Sequence, residues 1–340
     1  MTRPSPLATW CRLLRLPNLF TVPGDPLAGF LLATGGLLDW RVGGRILNWR
    51  VPAAMGTSLL LYSAGLLLND YFDRHIDARE RPERPIPSGA AKATTVLSVG
   101  LALLLMGVGL AFVARGLVAG SIAAALAFTV LAYDAGLKSI GGVGQVAMGA
   151  CRAGSILVGA AFAGGPFCNV QVLAAAGTAW AYTACVTAIA ASETSRPRVG
   201  PVAFAPAIAL TVGALILLSG SPQSADVWPA LKFALHAGPW PGYVRDSGWP
   251  YWPLATILLL FAAAGAAALN AHRFRQGRMS APSFVGKLIR LMIVTQAGWW
   301  FWALRWGTEG STQNLPLLLI ALFVCLWGAA ERTSRRFYGS

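Results

Sequence analysis

The sequence carries little charge, and its acidic side chains are about half as numerous as its basic ones. Of 340 residues, 13 are Asp or Glu and 27 are Lys or Arg, so that 12% of the chain is charged while 56% is hydrophobic. The mean hydropathy is +0.58, and no polar stretch is long enough to form a separate soluble domain. This composition argues against soluble domains and predicts one integral membrane domain of all-α fold over residues 1–340.

Cysteine and histidine are too scattered to indicate a metal or redox site. The three histidines show no ligand spacing. The cysteines form no C-x-x-C pair and are interpreted as packing residues; they are Cys11, Cys151, Cys168, Cys185 and Cys325. The net charge of +14 does not indicate nucleic-acid binding, because the basic residues are spread among the loops. Membrane orientation and contact with anionic lipids explain them better.

Apolar runs long enough to cross about 30 Å of hydrocarbon recur along the whole chain. They predict a polytopic transmembrane bundle of nine or ten spans, in which Arg115 and Gly116 divide the third span from the fourth. The predicted spans lie near 18–36, 51–69, 94–114, 117–133, 143–164, 172–192, 202–219, 252–271, 286–305 and 315–330.

Lysine and arginine are concentrated in alternate loops. By the positive-inside rule both termini and the loop that follows the second span are predicted to be cytoplasmic. The long connection at 220–251 then lies outside, and its Trp228, Trp240 and Trp249 predict an interfacial loop. We expect a multi-pass protein of the cell (inner) membrane if the source is bacterial.

Five of the 13 acids lie in one segment, LNDYFDRHIDARERPERPIPSG at 68–89. On a continuing helix Asn69, Asp73 and Asp77, which are spaced by four, form one stripe. Unpaired carboxylates there would repel one another, and a divalent cation would remove that cost. Mg²⁺ binds one or two protein carboxylates and takes its other oxygens from water and phosphate. The segment therefore favours a magnesium and diphosphate site.

Arginines surround these acids and strengthen the same interpretation. Guanidinium groups bind phosphate oxygens bidentately, and the run RPERPIPSG uses its prolines to end the helix. The alternative is a solvated loop in which the acids pair with the arginines and with lipid headgroups. The arginines are Arg74, Arg79, Arg81 and Arg84.

The string NDYFDRHIDARERPERPIPSG resembles the first aspartate-rich motif of the UbiA superfamily of intramembrane aromatic prenyltransferases. That motif reads N-D-x-x-D-x-x-x-D followed by R-P-I-P-S-G, and the wording here is especially similar to the chlorophyll synthase branch. RLPNLFTVPGDPLAGFL resembles the first helix of the family, and YDAGLKS at 133–139 resembles the tyrosine and lysine after its fourth helix. The resemblance implies a bundle whose central cavity opens to lipid and holds a prenyl diphosphate, with Mg²⁺ at its cytoplasmic end.

The resemblance also implies a reaction and roles for individual residues. The diphosphate leaves, an allylic carbocation forms, and an aromatic or lipid-like acceptor attacks it. The implied metal ligands are Asn69, Asp70, Asp73 and Asp77, and the implied catalytic residues are Asp73, Asp77, Tyr133 and Lys138. Arg79 and Arg84 would bind the diphosphate together with Lys138. Aromatic side chains that could face the carbocation are Tyr62, Phe72, Tyr133 and Trp180.

The sequence departs from the family where a second D-x-x-x-D motif is expected. There it reads AIAASETSRPRVGP, in which Glu193 is the one acid and a further candidate metal ligand. Arg196 and Arg198 stand where another carboxylate would be. They either hold the diphosphate directly in place of one metal, or the site has lost catalysis. The pattern resembles the divergent EboC-like branch of the superfamily.

Two charges fall inside predicted spans, Asp25 in the first and Arg152 in the fifth. Ionisable groups inside a membrane usually face a partner or a cavity. One interpretation is a structural ion pair between the two. The other places Arg152 in the substrate cavity near the diphosphate, with Asn18 and Asp25 lining the same space.

The leading hypothesis is a Mg²⁺-dependent enzyme that transfers a prenyl group from a prenyl diphosphate to a membrane-accessible acceptor. The second is a non-catalytic UbiA-like protein that binds or helps to move an isoprenoid lipid. A CDP-alcohol phosphotransferase also uses spaced aspartates, but the D-G-x-x-A-R element that it requires does not precede Asp73.

Overall fold

Helices account for the apolar segments of the chain. The computed structural model describes residues 5–35, 41–42, 45–46, 49–164, 169–192, 200–219, 251–304 and 315–337. In this part of the chain the α-helices are α1 (Pro6–Leu13), α2 (Leu16–Leu19), α3 (Gly24–Thr34), α4 (Arg50–Phe72), α5 (Arg74–Glu80), α6 (Ala93–Arg115), α7 (Leu117–Ala135), α8 (Val143–Ala163), α9 (Val170–Ser192), α10 (Ala205–Ser219), α11 (Tyr251–Arg275), α12 (Ala281–Leu304) and α13 (Leu315–Phe337).

Short elements join some of these helices. Two-residue strands, β1 (Arg41–Val42) and β2 (Arg45–Ile46), pair in antiparallel register with Arg41 opposite Ile46. Three-residue and four-residue 3₁₀ turns at Leu137–Ser139 and Pro201–Phe204 precede α8 and α10.

Within the described residues, seven helices are long and apolar enough to cross a membrane: α4, α6, α7, α8, α9, α11 and α13. The prediction of an all-α, multi-pass integral membrane protein is thereby confirmed. The other three predicted spans are also helical, but α3 has 11 residues, α10 has 15, and α12 carries Lys287 and Arg290 within its 24 residues. The predicted interfacial loop at 220–251 lies outside the described residues except for Tyr251.

The first predicted span, 18–36, is broken rather than continuous. The helical turn α2 ends at Leu19, and α3 begins at Gly24 directly after Pro23. Pro26 occupies the first turn of α3, where the missing N–H costs little because that position has no intrahelical acceptor. Pro23 and Pro26 thus set a helix start in the middle of an apolar run. By contrast, the predicted break at Gly116 is confirmed, and φ there is 75°, which favours glycine.

The short helix α3 lies at the centre of the bundle. It packs against α4, α8, α9 and α12, and residues 24–32 are all buried. The contact between α3 and α8 requires glycine on both sides. A Cβ at Gly29 would collide with the carbonyl of Ile156, and a Cβ at Gly159 would collide with the carbonyl of Pro26. Small residues that let backbones approach are a usual means of helix association in membranes.

The α3–α8 contact predicts that Gly159→Ala destabilises the fold. The new methyl group meets backbone atoms of Pro26, so α3 must move away from α8, at a cost of about 1–3 kcal/mol. Thermal unfolding of the protein in detergent, followed by circular dichroism, measures this.

A matched control is Gly177→Ala in α9, because Gly177 is exposed and a Cβ there would meet nothing within 4 Å. This control should unfold at or slightly above the temperature of the unsubstituted protein. Equal stability of the two variants would contradict the importance of the α3–α8 contact.

Candidate active site

The acidic segment begins at the carboxyl-terminal end of α4. Asn69 and Asp70 lie in its last turn, Asp73 lies between α4 and α5, and Asp77 lies in α5. The helical register continues across the junction, because the amides of Asp73 and Asp77 donate to the carbonyls of Asn69 and Asp73 at 2.9 and 2.8 Å. The side chains nevertheless form two groups rather than the single predicted stripe.

The first group is held by Lys138. Its Nζ lies 2.7 Å from Asp73 Oδ1 and donates to Asn69 Oδ1 at 3.0 Å. Lys138 belongs to the 3₁₀ turn that follows α7. This turn passes so close to α8 that a Cβ at Gly144 would lie 2.9 Å from Lys138 Cα. The close passage fixes the backbone from which the lysine reaches α4.

The second group is held by Arg84. Its Nη1 donates to Asp77 Oδ2 at 2.8 Å and lies 3.4 Å from Asp70 Oδ1. Arg15 Nη2 lies 3.3 Å from the same Asp70 oxygen. Asp70 and Asp77 are both buried, so these cations compensate charges that water does not reach. The turn that returns Arg84 to the bundle is closed by the amide of Ser88, which donates to the Arg84 carbonyl at 3.0 Å.

We call these seven residues the mouth cluster: Arg15, Asn69, Asp70, Asp73, Asp77, Arg84 and Lys138. All three of its carboxylates are ion-paired.

A cavity of about 280 Å³ extends from the mouth cluster into the bundle. At the mouth-cluster end it is lined by Arg15, Asn69 and Asp134, and at the far end by Ser58 and Ser155, whose hydroxyls are 3.0 Å apart. About three turns of α4 separate Ser58 from Asn69, which is roughly 16 Å along the helix axis. Most of the wall between the two ends is apolar, from Leu61, Leu66, Leu126, Val130, Val186 and Ile289.

Of the residues predicted to face the cavity, Asn18, Tyr62, Tyr133 and Arg152 line it. Phe72 and Trp180 are exposed and, in the described part of the chain, lie away from it; the indole of Trp180 donates to the Val146 carbonyl at 3.1 Å. Arg79 is likewise exposed and separate from the mouth cluster. The remaining candidates, Glu193, Arg196 and Arg198, lie outside the described residues.

The two predicted intramembrane charges form an ion pair. Arg152 Nη1 lies 2.8 Å from Asp25 Oδ2, and Arg152 Nη2 donates to Thr21 Oγ1 at 2.7 Å. Gln296 Nε2 donates to Asp25 Oδ1 and to the Thr21 carbonyl, both at 2.7 Å. Arg152 also lies 5.9 Å from the centre of the Tyr62 ring. The pair is therefore built into the bundle, while Arg152 itself borders the cavity and Asp25 lies behind it.

Sequence reasoning missed Arg15, Gln296 and Asp134. Arg15 adopts φ 44° and ψ 55°, the one positive φ among the described non-glycine residues, and such strain is typical of functional positions. The sequence gives no sign of that conformation. Asp134 could have been found, because it is an acid at the end of a strongly apolar span and adjoins Tyr133, a residue already selected.

The family is decided by a comparison with known sequence families, since the UbiA prenyltransferase family model matches residues 26–268. The chain belongs to the UbiA prenyltransferase family. The match includes the mouth cluster, apart from Arg15, and most of the cavity wall. The resemblance seen in the sequence is thus confirmed.

Curated relatives in the UbiA family include digeranylgeranylglyceryl phosphate synthases of archaea. The chain is 36% identical to the one from Methanoregula boonei over 138 residues, which is 41% of this chain and 46% of the relative. It is 34% identical to the one from Natronomonas pharaonis over 162 residues, which is 47% of this chain and 56% of the relative. The matched region thus spans about half the length of these relatives.

A solved structure of digeranylgeranylglyceryl phosphate synthase shares the UbiA fold with this chain. The two superpose with a TM-score of 0.57 at 16% sequence identity, over 89% of this chain and 100% of the solved chain. At this identity the likeness establishes the fold alone.

The ion pair between Asp25 and Arg152 predicts that Asp25→Ala is strongly destabilising. The substitution leaves a buried guanidinium uncompensated, which costs about 3–5 kcal/mol. Because an apolar replacement of both partners is often neutral, Asp25→Leu combined with Arg152→Met should recover much of the lost stability. Thermal unfolding in detergent measures both variants.

The double variant also distinguishes the two interpretations of the pair. Unchanged affinity for a prenyl diphosphate in a folded double variant would assign Arg152 to structure, and a loss of affinity would assign it to the diphosphate. A double variant as unstable as Asp25→Ala would show that the hydrogen bonds to Thr21 and Gln296, rather than the ion pair, dominate.

Proposed function

We propose that this protein transfers a prenyl group from a prenyl diphosphate to a hydrophobic acceptor, at the cytoplasmic end of its cavity and with Mg²⁺. The observation that supports the proposal is the cavity itself, which joins an apolar chamber to the charged mouth cluster inside a UbiA-family bundle. A prenyl diphosphate has the same division, with an apolar tail and a charged head.

The cations of the mouth cluster would bind the diphosphate. Arg15 and Asn69 line the cavity. Lys138 contacts Asn69, and Arg84 shares Asp70 with Arg15. Arginine suits this role because its planar fork of N–H donors matches phosphate oxygens. An arriving diphosphate would compete with the carboxylates for these cations, which frees carboxylate oxygens at the same moment.

The oxygen donors of the mouth cluster fit a magnesium ion. Asn69 Oδ1 and Asp73 Oδ1 already converge on one positively charged atom, Lys138 Nζ, at 3.0 and 2.7 Å. Mg²⁺ prefers oxygen ligands and needs one or two carboxylates when phosphate and water supply the rest. Asp70 and Asp77 offer further oxygens, and Glu193 remains a proposed ligand. Bound Mg²⁺ would supply positive charge to the departing diphosphate.

The residues of the cavity can support ionisation of the allylic carbon. The bond from that carbon to the diphosphate oxygen breaks, and its electron pair leaves with the diphosphate, whose charge Arg84 and Lys138 would stabilise. The rings of Tyr62 and Tyr133 line the cavity and offer aromatic faces to the carbocation. The apolar wall excludes water, so that the acceptor forms the new bond and its proton passes to the released diphosphate.

The acceptor is proposed to be lipid-like. The relatives are named for making a glyceryl phosphate that bears two geranylgeranyl groups, and a glycerophosphate-type acceptor is the class that this name favours. An aromatic acceptor of similar polarity would also fit a cavity with hydroxyl groups at its far end.

A second candidate function is that of a non-catalytic carrier of an isoprenoid lipid. It is favoured by the complete ion pairing of the mouth carboxylates and by the basic residues in place of a second aspartate motif. A carrier needs the cavity but not a metal.

We expect the purified protein to bind a labelled prenyl diphosphate in the presence of Mg²⁺ and to convert it when acceptor lipids are added. Asp73→Asn and Asp77→Asn should each lower the rate at least 100-fold, because they remove charge that holds the metal and orients Lys138 and Arg84. Scintillation counting of the prenylated product measures the rate.

The matched control is Glu80→Gln, which neutralises an exposed acid of the same segment and should leave the rate within about twofold. If prenyl diphosphate binding is unchanged by chelator and by both aspartate substitutions, the enzyme hypothesis is contradicted and the carrier hypothesis is supported.

We also predict a role for the two arginines after α9. If Arg196 and Arg198 replace one metal, changing both to alanine should weaken prenyl diphosphate binding about tenfold or more, because the diphosphate loses two cationic contacts. Equilibrium binding in lipid nanodiscs measures this. Arg273→Ala combined with Arg275→Ala at the inner end of α11 is the control for lost positive charge, and an equal effect of both pairs would refute the specific role.

A further inference from the structure

Asp134 is a buried acid that does not belong to the mouth cluster. It lies in the last turn of α7, is 3% exposed, and lines the cavity beside Tyr133. Its Oδ2 atom is buried and, among the described residues, has no hydrogen-bond partner. A buried carboxylate oxygen without a donor destabilises a protein, so its retention at the cavity calls for a partner that arrives with a ligand.

The cations of the mouth cluster contact side chains other than Asp134. Lys138 follows Asp134 by one helical turn of chain, yet its Nζ contacts Asp73 and Asn69. Arg84 contacts Asp70 and Asp77. Within the described part of the chain, no ion pair reaches Asp134.

The charges in the site limit which chemical class of group can bind Asp134. A diphosphate is a poor direct partner, because an ionised Asp134 and the diphosphate would repel each other in a cavity of low polarity. Asp134 is also separate from the oxygens proposed to hold Mg²⁺, because Asn69 and Asp73 meet at Lys138 Nζ and, among the described residues, no hydrogen bond or ion pair links Asp134 to either of them. A neutral hydrogen-bond donor is the class of group that remains.

The position of Asp134 identifies which substrate brings that donor. Asp134 lines the same end of the cavity as Arg15 and Asn69, where the diphosphate and the carbon bonded to it would lie. The tail of a prenyl diphosphate has no hydrogen-bond donor, whereas an acceptor that is prenylated on oxygen must present a hydroxyl at this carbon.

We infer that Asp134 binds the hydroxyl group of the acceptor and thereby selects alcohols over their ethers. The inference rests on the proposed prenyl transfer for the identity of the ligand. A site that hydrogen-bonds a hydroxyl discriminates strongly against analogues without it, because the polar group of the protein is then left unpaired.

The probes for the test are geranylgeranylglyceryl phosphate with its free hydroxyl and the same lipid with that hydroxyl capped as a methyl ether. We expect the protein in nanodiscs to bind the hydroxyl form at least tenfold more tightly than the ether. Asp134→Leu should reduce this ratio to below about twofold and leave prenyl diphosphate binding unchanged. Asp134→Asn, which keeps one acceptor oxygen, should retain part of the ratio and serves if the leucine variant does not fold.

Glu80→Leu is the matched control, because it removes an exposed acid and should leave the ratio unchanged. The inference would be overturned if the unsubstituted protein bound the two probes equally or bound neither of them. It would also be overturned if the ratio of the two affinities stayed the same in both Asp134 variants. A loss of prenyl diphosphate affinity in both Asp134 variants would instead assign the residue to the diphosphate site and overturn it as well.

Product formation is a separate measurement with the same lipids. A protein that selects the hydroxyl form but makes no product with Mg²⁺ and prenyl diphosphate would refute the transferase and leave the assignment of Asp134 standing.

Discussion

Burying a charge is costly unless an opposite charge compensates it, and in this chain ion pairs of buried side chains organise the end of the bundle that carries the mouth cluster. Lys138 joins the turn after α7 to the end of α4 through Asp73, and Arg84 folds the proline-rich segment back onto the same helix. Deeper in the bundle, Arg152 ties α8 to the start of α3 through Asp25. Each pair costs desolvation energy, so their geometry is constrained to positions where several partners meet.

The cavity is the space that these ion pairs leave between them. Its mouth-cluster end is charged and its middle is apolar, while Ser58 and Ser155 give the far end two hydroxyls. This order of environments along the cavity suits a molecule with a charged head and a long apolar body. The close α3–α8 contact at Gly159 sets the position of α8, which contributes Cys151, Arg152 and Ser155 to the cavity wall.

Hydropathy predicted the positions of most spans because a helix in lipid needs a long apolar run, and the motif directed attention to Asn69, Asp73, Asp77, Arg84 and Lys138, which the structure brings together. The break in the first span was not predictable from hydropathy, since it depends on Pro23 and Pro26 within an apolar stretch. The stripe of Asn69, Asp73 and Asp77 was predicted from helical spacing alone, whereas the observed grouping depends on Arg84 and other residues distant in sequence. Contacts of this kind are set by tertiary packing, which local periodicity does not encode.

The pairing around Asp70 has an energetic consequence. Asp70 is shared by Arg15 and Arg84, and Arg84 is shared by Asp70 and Asp77, so four side chains form one continuous network from the segment before α2 to α5. In such a network the contributions of single residues are not additive, and the coupling between two substitutions can exceed the effect of either. Substitutions in the amino-terminal segment and in the aspartate-rich segment are therefore expected to be energetically coupled, although 55 positions separate Arg15 from Asp70.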